Sequence, residues 1–303
     1  MLTNVVSCDL MGGLGNQLFQ VFTTFAYALR HSRKVVFPYT EGLTVGIHRP
    51  TYWKSFLKNL TMFTTENVKN RYTNNDVYKF VRFNENGFHY TPIPEVENHE
   101  LLLYGYFQSH LYFEQEKSAI CSMIQLSKQK NEVRAEYASL FQNSVGSTDD
   151  GKNHRIIGMH FRLGDYKQKQ SYHPIMPVDY YINALGIILS GHTESYTYKV
   201  LYFCEKEDNA RVLSAIDELK EIYSDIEFIK VDDSIEDWKQ MLLMSLCHDN
   251  IIANSSFSWW GAHFNDTVDK IVCYPCLWFG PAAPHNVRDL CPSSWQKIYF
   301  EST

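Results

Sequence analysis

The stretch RIIGMHFRLGDY, residues 155–166, begins as an apolar run and ends in charged residues around a glycine. After it, helical patterns and short apolar runs alternate along the chain: 178–189 (helical), 198–203 (apolar), 209–222 (helical), 227–231 (apolar), 235–247 (helical), 250–255 (apolar), 257–265 (helical) and 270–275 (apolar). This alternation predicts an α/β fold with a parallel sheet that helices cover on both faces. Ligands of such sheets bind at the carboxyl ends of the strands.

The start of the chain repeats this strand–turn–helix pattern. Residues 4–10 predict a strand and GGLG (12–15) a turn, and an apolar stripe at helical spacing follows: Leu18, Phe22, Phe25 and Leu29. A short strand is predicted at 34–37. The polar segment 142–154 divides the chain, so we predict two domains, 1–150 and 151–303. Facing strand ends of two such domains would leave a cleft between them.

Composition excludes several classes of protein. The chain has 303 residues, 45% of them hydrophobic, and its formal net charge is −6 with the basic residues scattered. This argues against a nucleic-acid partner or an anionic membrane surface. We expect no membrane-spanning segment and a cytoplasmic protein, because no long apolar run and no secretory leader is visible. The odd number of cysteines, seven, favours reduced thiols, and we interpret Cys273-x-x-Cys276 as structural rather than as a zinc or redox motif.

Three motifs combine a strand end, a turn and a helix start. GGLGNQLFQ (12–20) brings backbone amides to a helix N-terminus, where a phosphate binds well. HFRLGDY (160–166) places His160 and Arg162 on one face of a strand end, with Asp165 able to orient the arginine or accept a proton. ANSSFSWWGA (253–262) surrounds a helix start with serines. Each has a structural alternative: a plain glycine turn, a buried Arg–Asp pair and a simple helix cap.

Other cofactor and metal chemistry is disfavoured by what the motifs lack. The first motif has no Gly-Lys-Ser/Thr for a P-loop, and it lacks the third small residue and the acid of a dinucleotide site. An oxidoreductase is therefore a weaker interpretation. The chain has no Asp-x-Asp and no His-x-x-x-His, so we predict no metal site and no cofactor. The acidic group Glu205, Glu207 and Asp208 is the one alternative place for a hard cation.

Taken in order, GGLGNQLFQ, GYFQSHLYF (105–113), HFRLGDY, MSLCHDNIIANSSFSWWGA (244–262) and CYPCLWF (273–279) closely resemble the alpha-1,2-fucosyltransferase family, glycosyltransferase family 11, in its soluble bacterial or viral type. The resemblance covers nearly the whole chain. It implies a GT-B fold of two facing Rossmann-like domains, the N-terminal on the acceptor side and the C-terminal holding the nucleotide sugar. It also implies transfer of L-fucose from GDP-fucose to a glycan hydroxyl, O2 of a galactoside, without a metal.

The resemblance gives roles to particular residues. Arg162 would grip the β-phosphate, and the nucleotide would also contact the following: Gly13, Gly15, Asn16, His160, Asp237, Ser255, Ser256, Phe257 and Ser258. Asp237 would reach guanine, with a helix-capping acid as the alternative. Asp165 and His173 are the candidates for the general base. An acceptor platform is expected from Tyr106, Gln108 and Tyr112, with an aromatic core as the alternative.

Two departures from the family pattern leave the donor open, and a protein that binds carbohydrate without turnover is a separate alternative. Leu163 stands where the family often has a second arginine, and Cys204-Glu205-Lys206 replaces a common Ser-Asp-Asp. Another nucleotide sugar is therefore an alternative donor.

Overall fold

The computed structural model describes residues 4–44, 47–97, 99–142 and 153–300. The chain packs into two compact units. The first is formed from the described parts of Met1–Gln129 and His285–Pro292, and the second from those of Lys130–Pro284 and Ser293–Thr303.

The division between the units falls earlier than the boundary predicted at 142–154. Neighbouring side chains explain why. Gln129 donates hydrogen bonds to the carbonyls of Phe56 (3.1 Å) and Ile124 (2.7 Å) in the first unit. Lys130, buried, donates to the Phe264 carbonyl (2.7 Å) in the second. Gln129 and Lys130 are neighbours in one helix, Leu126–Glu136, and the division between the units falls between them. Nothing in the sequence of this helix marks that division. Most of the predicted linker, 143–152, lies outside the described residues.

Among its described residues the first unit contains six strands, three whole helices and the first turn of a fourth, α4, which continues into the second unit: β1 (Val5–Cys8), α1 (Leu14–Arg30), β2 (Lys34–Val35), β3 (Gly42–Leu43), β4 (Arg49–Pro50), α2 (Asn74–Val77), β5 (Val81–Asn84), β6 (Leu101–Tyr104), α3 (Lys117–Met123) and α4 (Leu126–Glu136). Four of the strands form a parallel sheet in the order β2-β1-β6-β5, and β3 pairs with β4 antiparallel. The segment His285–Pro292 joins this unit through Asp289, whose carbonyl accepts a hydrogen bond from Ser109 (2.7 Å).

Helix α1 is more deeply buried than its predicted stripe implies. Leu18, Phe22 and Phe25 are in the core as predicted, but Leu29 is 50% exposed. Polar side chains on the other faces are buried too, and their hydrogen bonds offset the loss of water. Gln20, for example, accepts from the Met11 amide (2.8 Å) and donates to the Met11 carbonyl (3.1 Å). The helix therefore fixes the turn that leads into it.

The second unit contains the alternating elements that the sequence predicted, within a few residues: β7 (Asn153–His160), α5 (Val178–Gly191), β8 (Tyr196–Phe203), α6 (Asn209–Ile222), β9 (Glu227–Lys230), α7 (Asp237–Ser245), β10 (Asp249–Ile251), α8 (Ser256–His263), β11 (Val272–Pro275) and β12 (Gln296–Ile298). The last strand was not predicted, because three residues with two exposed polar side chains give no apolar run. The sheet is parallel throughout, in the order β12-β11-β10-β7-β8-β9.

The core of the second unit lies on the sheet, under α5 and α6. Ile157, Met159 and Val200 from central strands are fully buried against Ala184 of α5 and Ile216 of α6. Burial of each large aliphatic side chain contributes about 1.5–3 kcal/mol, which holds the central strands in place. The predicted α/β class is confirmed, with a parallel sheet in each of the two units. The cleft between the units stays a prediction. In the ranges that the structure describes, no helix combines the length and apolarity needed to cross a membrane.

Candidate functional site

The register of β7 and β8 decides which side chains meet at the carboxyl edge of the second unit's sheet. His160 is paired with Phe203, and the amide of Phe161 continues the ladder to the Phe203 carbonyl (2.8 Å). Arg162 and Glu205 each lie two residues beyond the end of their strand, and this pairing brings them into contact. The site is built by strand pairing rather than by proximity in sequence.

Arg162 is held by carboxylates on two sides. Its Nη1 donates to Glu205 and its Nη2 to Asp165, and only 17% of its side chain is exposed. Burial acts against the charged form, yet the nearby carboxylates, Glu205 foremost, keep the pKa of Arg162 above its ordinary value. The guanidinium is thus permanently charged and oriented at the strand end, as a phosphate-binding arginine must be.

Tyr166 joins the second and third sequence motifs. Its ring lies under the Arg162 guanidinium, 4.9 Å from carbon to centroid, and stacks on His173 at 4.7 Å. Its hydroxyl donates to the Asn254 carbonyl (3.1 Å) at the end of β10. Asn254 in turn donates to the Pro174 carbonyl (2.9 Å), next to His173. Arg162, Asp165 and His173 therefore belong to one cluster, and Tyr166 and Asn254, to which the motifs assign no role, connect its parts.

His160 is a neutral, buried imidazole beside this cluster. Burial lowers its pKa to about 3, and the positive charge of Arg162 contributes. Its ring centroid lies 5.4 Å from that of Phe257. Among the described residues its Nδ1 has no hydrogen-bond partner. A buried polar atom in this condition is costly unless something else bonds to it, which makes Nδ1 a candidate contact for a bound molecule.

The low pKa of His160 predicts a loss of stability in mild acid. Unfolded chains bind a proton at this histidine near pH 6.5, whereas the folded protein resists it down to about pH 3. The contribution of His160 to the free energy of unfolding is therefore complete above pH 6.5 and declines as the pH falls from 6.5 towards 3. We expect the destabilisation caused by His160→Gln to shrink by about 1.4 kcal/mol per pH unit below pH 6. Urea unfolding of both proteins at pH 7, 6 and 5 measures this, and a constant difference would contradict it.

Helix α8 begins with the predicted serine cap. The Ser255 hydroxyl accepts from the Phe257 amide (3.3 Å), and the buried Ser258 hydroxyl donates to the carbonyls of Ala253 (3.4 Å) and Ser255 (3.3 Å). Ser256 and Phe257 are partly exposed at the helix start. Ser255 thus caps the helix, which the sequence offered as the structural alternative to a phosphate site. The positive end of the helix dipole still lies at the sheet edge that carries Arg162, so both interpretations remain compatible.

The acidic group after β8 binds cations of the protein itself. Glu205 holds Arg162, while the buried Asp208 accepts from the Gly164 amide (2.7 Å) and from Lys167 (2.6 Å). Asp208 therefore anchors the turn that carries Asp165. In the part of the chain that the structure describes, no group of three or more His, Cys, Asp or Glu side chains is arranged to hold a metal ion.

The glycine-rich turn lies in the first unit, and its conformation requires glycine at one position. Gly12 has φ +77°, a backbone conformation that favours glycine, and a Cβ there would lie 2.4 Å from Asn16 Nδ2. Gly13 is the N-cap residue of α1 and faces open space, and Gly15 is already inside the helix and buried. Asn16 Oδ1 accepts a hydrogen bond from Gln108 (2.9 Å).

The remaining predicted residues divide between exposed and core positions. Asp237 is exposed at the start of α7, where its carboxylate accepts from the Trp238 amide (2.7 Å) as a helix-start acid does. Tyr112 is 2% exposed and Gln108 is buried, so the aromatic-core alternative describes Tyr112. Tyr106 is partly exposed. An open groove of about 530 Å³ in the first unit, lined by Tyr39, Asn70 and Tyr72 among others, contains none of the predicted site residues.

Residues 3–275 match the sequence profile of glycosyl transferase family 11. The chain belongs to this family. The match contains all three motifs, from the glycine-rich turn of the first unit to the serine-capped helix of the second. Family membership confirms the resemblance and accounts for the order of the motifs.

Two curated relatives of this family 11 chain come from Escherichia coli. The O-antigen biosynthesis glycosyltransferase WbnK is 33% identical over 149 residues, 48% of this chain and 45% of the relative. An alpha-1,2-colitosyltransferase is 29% identical over 145 residues, 47% of each chain. The chain spans about half the length of the curated relatives it matches. A solved mutant of Arabidopsis thaliana FUT1 in complex with GDP is 12% identical, covers 90% of this chain and 70% of that chain, and has a TM-score of 0.46, too low to add to the assignment.

Proposed function

We propose that this protein is an inverting glycosyltransferase that moves an L-fucosyl group from GDP-fucose to O2 of a galactoside in a glycan. The observation that carries the proposal is the oriented, charged guanidinium of Arg162 at the carboxyl edge of the second unit's sheet. Membership of glycosyl transferase family 11 supports the reaction class. Fucose as the sugar and O2 as the position rest on the resemblance of the motifs.

In the proposed reaction the acceptor oxygen attacks the anomeric carbon from the side opposite the leaving group. A carbon–oxygen bond forms, the bond to the β-phosphate breaks, and GDP leaves with the electron pair. Arg162 stabilises the charge that develops on the phosphate, a contact of a kind worth about 3–4 kcal/mol. Asp165 or His173 accepts the hydroxyl proton. Asp165 is already bonded to Arg162, which suits it equally to orienting the guanidinium.

Nucleotide contacts are proposed for the residues around the cluster. The neutral His160 offers its buried Nδ1 to the nucleotide. The start of α8, Ser255 to Ser258, offers backbone amides and hydroxyls to the diphosphate. Guanine recognition by Asp237 and nucleotide binding by Gly13, Gly15 and Asn16 stay predictions.

A colitosyl donor is the second candidate, and one specific observation favours it. A relative is named as an alpha-1,2-colitosyltransferase, and it is 29% identical over nearly half of this chain. The Cys204-Glu205-Lys206 segment, which departs from the fucosyltransferase pattern, lies beside Arg162.

A donor screen separates these candidates. The protein is incubated with a galactoside and GDP-fucose, GDP-colitose, GDP-mannose or UDP-galactose, and released nucleotide and extended glycan are measured. We expect GDP release and a fucosylated product, equally in the presence of EDTA. Product from GDP-colitose alone would make the second candidate correct. Nucleotide binding without product from any donor would contradict both and indicate a binding protein without turnover.

A further inference from the structure

A diphosphate bound to Arg162 would compete with Glu205 for the terminal nitrogens of its guanidinium. A phosphate bound bidentately takes two neighbouring N–H groups of a guanidinium. Here Nη1 donates to Glu205 and Nη2 to Asp165, while 17% of the arginine side chain is exposed. An anion that approaches the exposed part of Arg162 therefore meets a carboxylate on each terminal nitrogen.

The net charge of the side chains around Arg162 also opposes the binding of an anion. Its ion-paired side chains comprise two cations and three carboxylates: Arg162, Lys167, Asp165, Glu205 and Asp208. The sum is one negative charge. A diphosphate, itself negative, binds favourably only if one carboxylate moves away from the guanidinium, since like charges at contact distance repel.

Glu205 is the carboxylate able to move. Its side chain is 45% exposed, compared with 33% for Asp165 and 1% for Asp208. Asp165 lies in the turn that Asp208 anchors through the Gly164 amide. The Glu205 carboxylate lies over Gly164, whose φ is +39° and where an added Cβ would come within 2.5 Å of Glu205 Oε2. It occupies this place only because residue 164 has no side chain.

We propose that Glu205 sets the affinity of the second unit for nucleoside diphosphates by competing with the diphosphate for the Arg162 guanidinium. The proposal rests on the proposed function, in which Arg162 binds the diphosphate of the donor. Glu205 acts through Arg162 and is therefore a positioning residue.

Calorimetric titration of GDP into the full chain tests this with two matched variants. Glu205→Gln removes the competing charge. Glu207→Gln makes the same change in net charge at an exposed position two residues away. We expect GDP to bind Glu205→Gln roughly tenfold more tightly than wild type, as loss of a charge-assisted hydrogen bond to Arg162 implies. Glu207→Gln should stay within about twofold of wild type, because a solvated charge has little effect.

The outcomes distinguish this inference from the proposed function. A damaged fold does not tighten binding, so a gain in affinity supports the competition directly. Equal or weaker GDP binding by Glu205→Gln, or equal gains in both variants, would overturn it. Inorganic pyrophosphate serves as a second probe. If GDP binds neither wild type nor variant, the proposed donor is wrong. Tighter binding of pyrophosphate by Glu205→Gln than by wild type would then still uphold the inference about Glu205. Equal or weaker binding of pyrophosphate would overturn that inference too.

Discussion

Replacing Arg162 with alanine should lower the turnover number for glycosyl transfer by about 10²–10³-fold while the protein stays folded. The guanidinium is the permanently charged group oriented at the strand end, and its pKa is held high by the carboxylates around it. Without it, the charge that develops on the departing nucleotide loses its main electrostatic partner. Initial-rate measurements with saturating donor and acceptor give the turnover number, and circular dichroism checks the fold.

Two further variants sharpen this test. Arg162→Lys keeps the charge but not the planar fork, so we expect an activity between those of wild type and Arg162→Ala. Arg211→Ala removes an exposed arginine of α6 in the same unit and should leave turnover unchanged. Retention of more than about a tenth of wild-type turnover by Arg162→Ala would refute its role in leaving-group stabilisation.

Replacing Arg155 with methionine should destabilise the protein by about 3–5 kcal/mol. Arg155 and Asp249 are buried at the amino-terminal edge of the second unit's sheet, away from the candidate site. Nε and Nη2 bond to the two oxygens of Asp249 (2.9 and 3.1 Å), and Nη1 bonds to Asp269 (2.5 Å). Removal of the arginine takes away the permanent positive charge next to the fully buried Asp249 and leaves His192 (3.2 Å) and the Ile271 amide (2.8 Å) as its partners. Urea unfolding followed by circular dichroism measures the loss as a lower midpoint.

The matched control for this prediction is an exposed ion pair. Lys54 pairs with Glu41, and 72% of each side chain is exposed, so Lys54→Met should not change the midpoint measurably. The double variant Arg155→Met/Asp249→Leu removes both buried charges and should be less destabilised than Arg155→Met. An unfolding midpoint of Arg155→Met equal to that of Lys54→Met would show that the ion pairs of Arg155 with Asp249 and Asp269 do not stabilise the sheet.

The sequence predicted the second unit well, because its strands are apolar runs and its helices have clear periodicity. The limits of α6, 209–222, were predicted to the residue. Strand β12 was missed because its side chains are mostly exposed, and the transfer of α4 from one unit to the other depends on two side chains, Gln129 and Lys130. Both features depend on contacts with residues far away in the sequence: β12 pairs with β11, and Gln129 and Lys130 bond to Phe56 and Phe264.

The candidate site was predicted in its parts but not in its connections. The motifs identified Arg162, Asp165 and His160, since HFRLGDY spans the end of β7 and the turn that follows it. That Glu205 lies opposite Arg162 depends on the register of β7 against β8, and that Tyr166 reaches Asn254 depends on β10 lying beside β7. Strand order and register are tertiary properties, which is why one sequence alone did not reveal them.

A crystal structure of the protein with GDP bound tests the central claim most directly. The account predicts oxygens of the diphosphate about 2.7–3.2 Å from the nitrogens of Arg162 and beside the start of α8, with the Glu205 carboxylate moved off the guanidinium. A diphosphate bound elsewhere, with Arg162 still bonded to both Glu205 and Asp165, would contradict it.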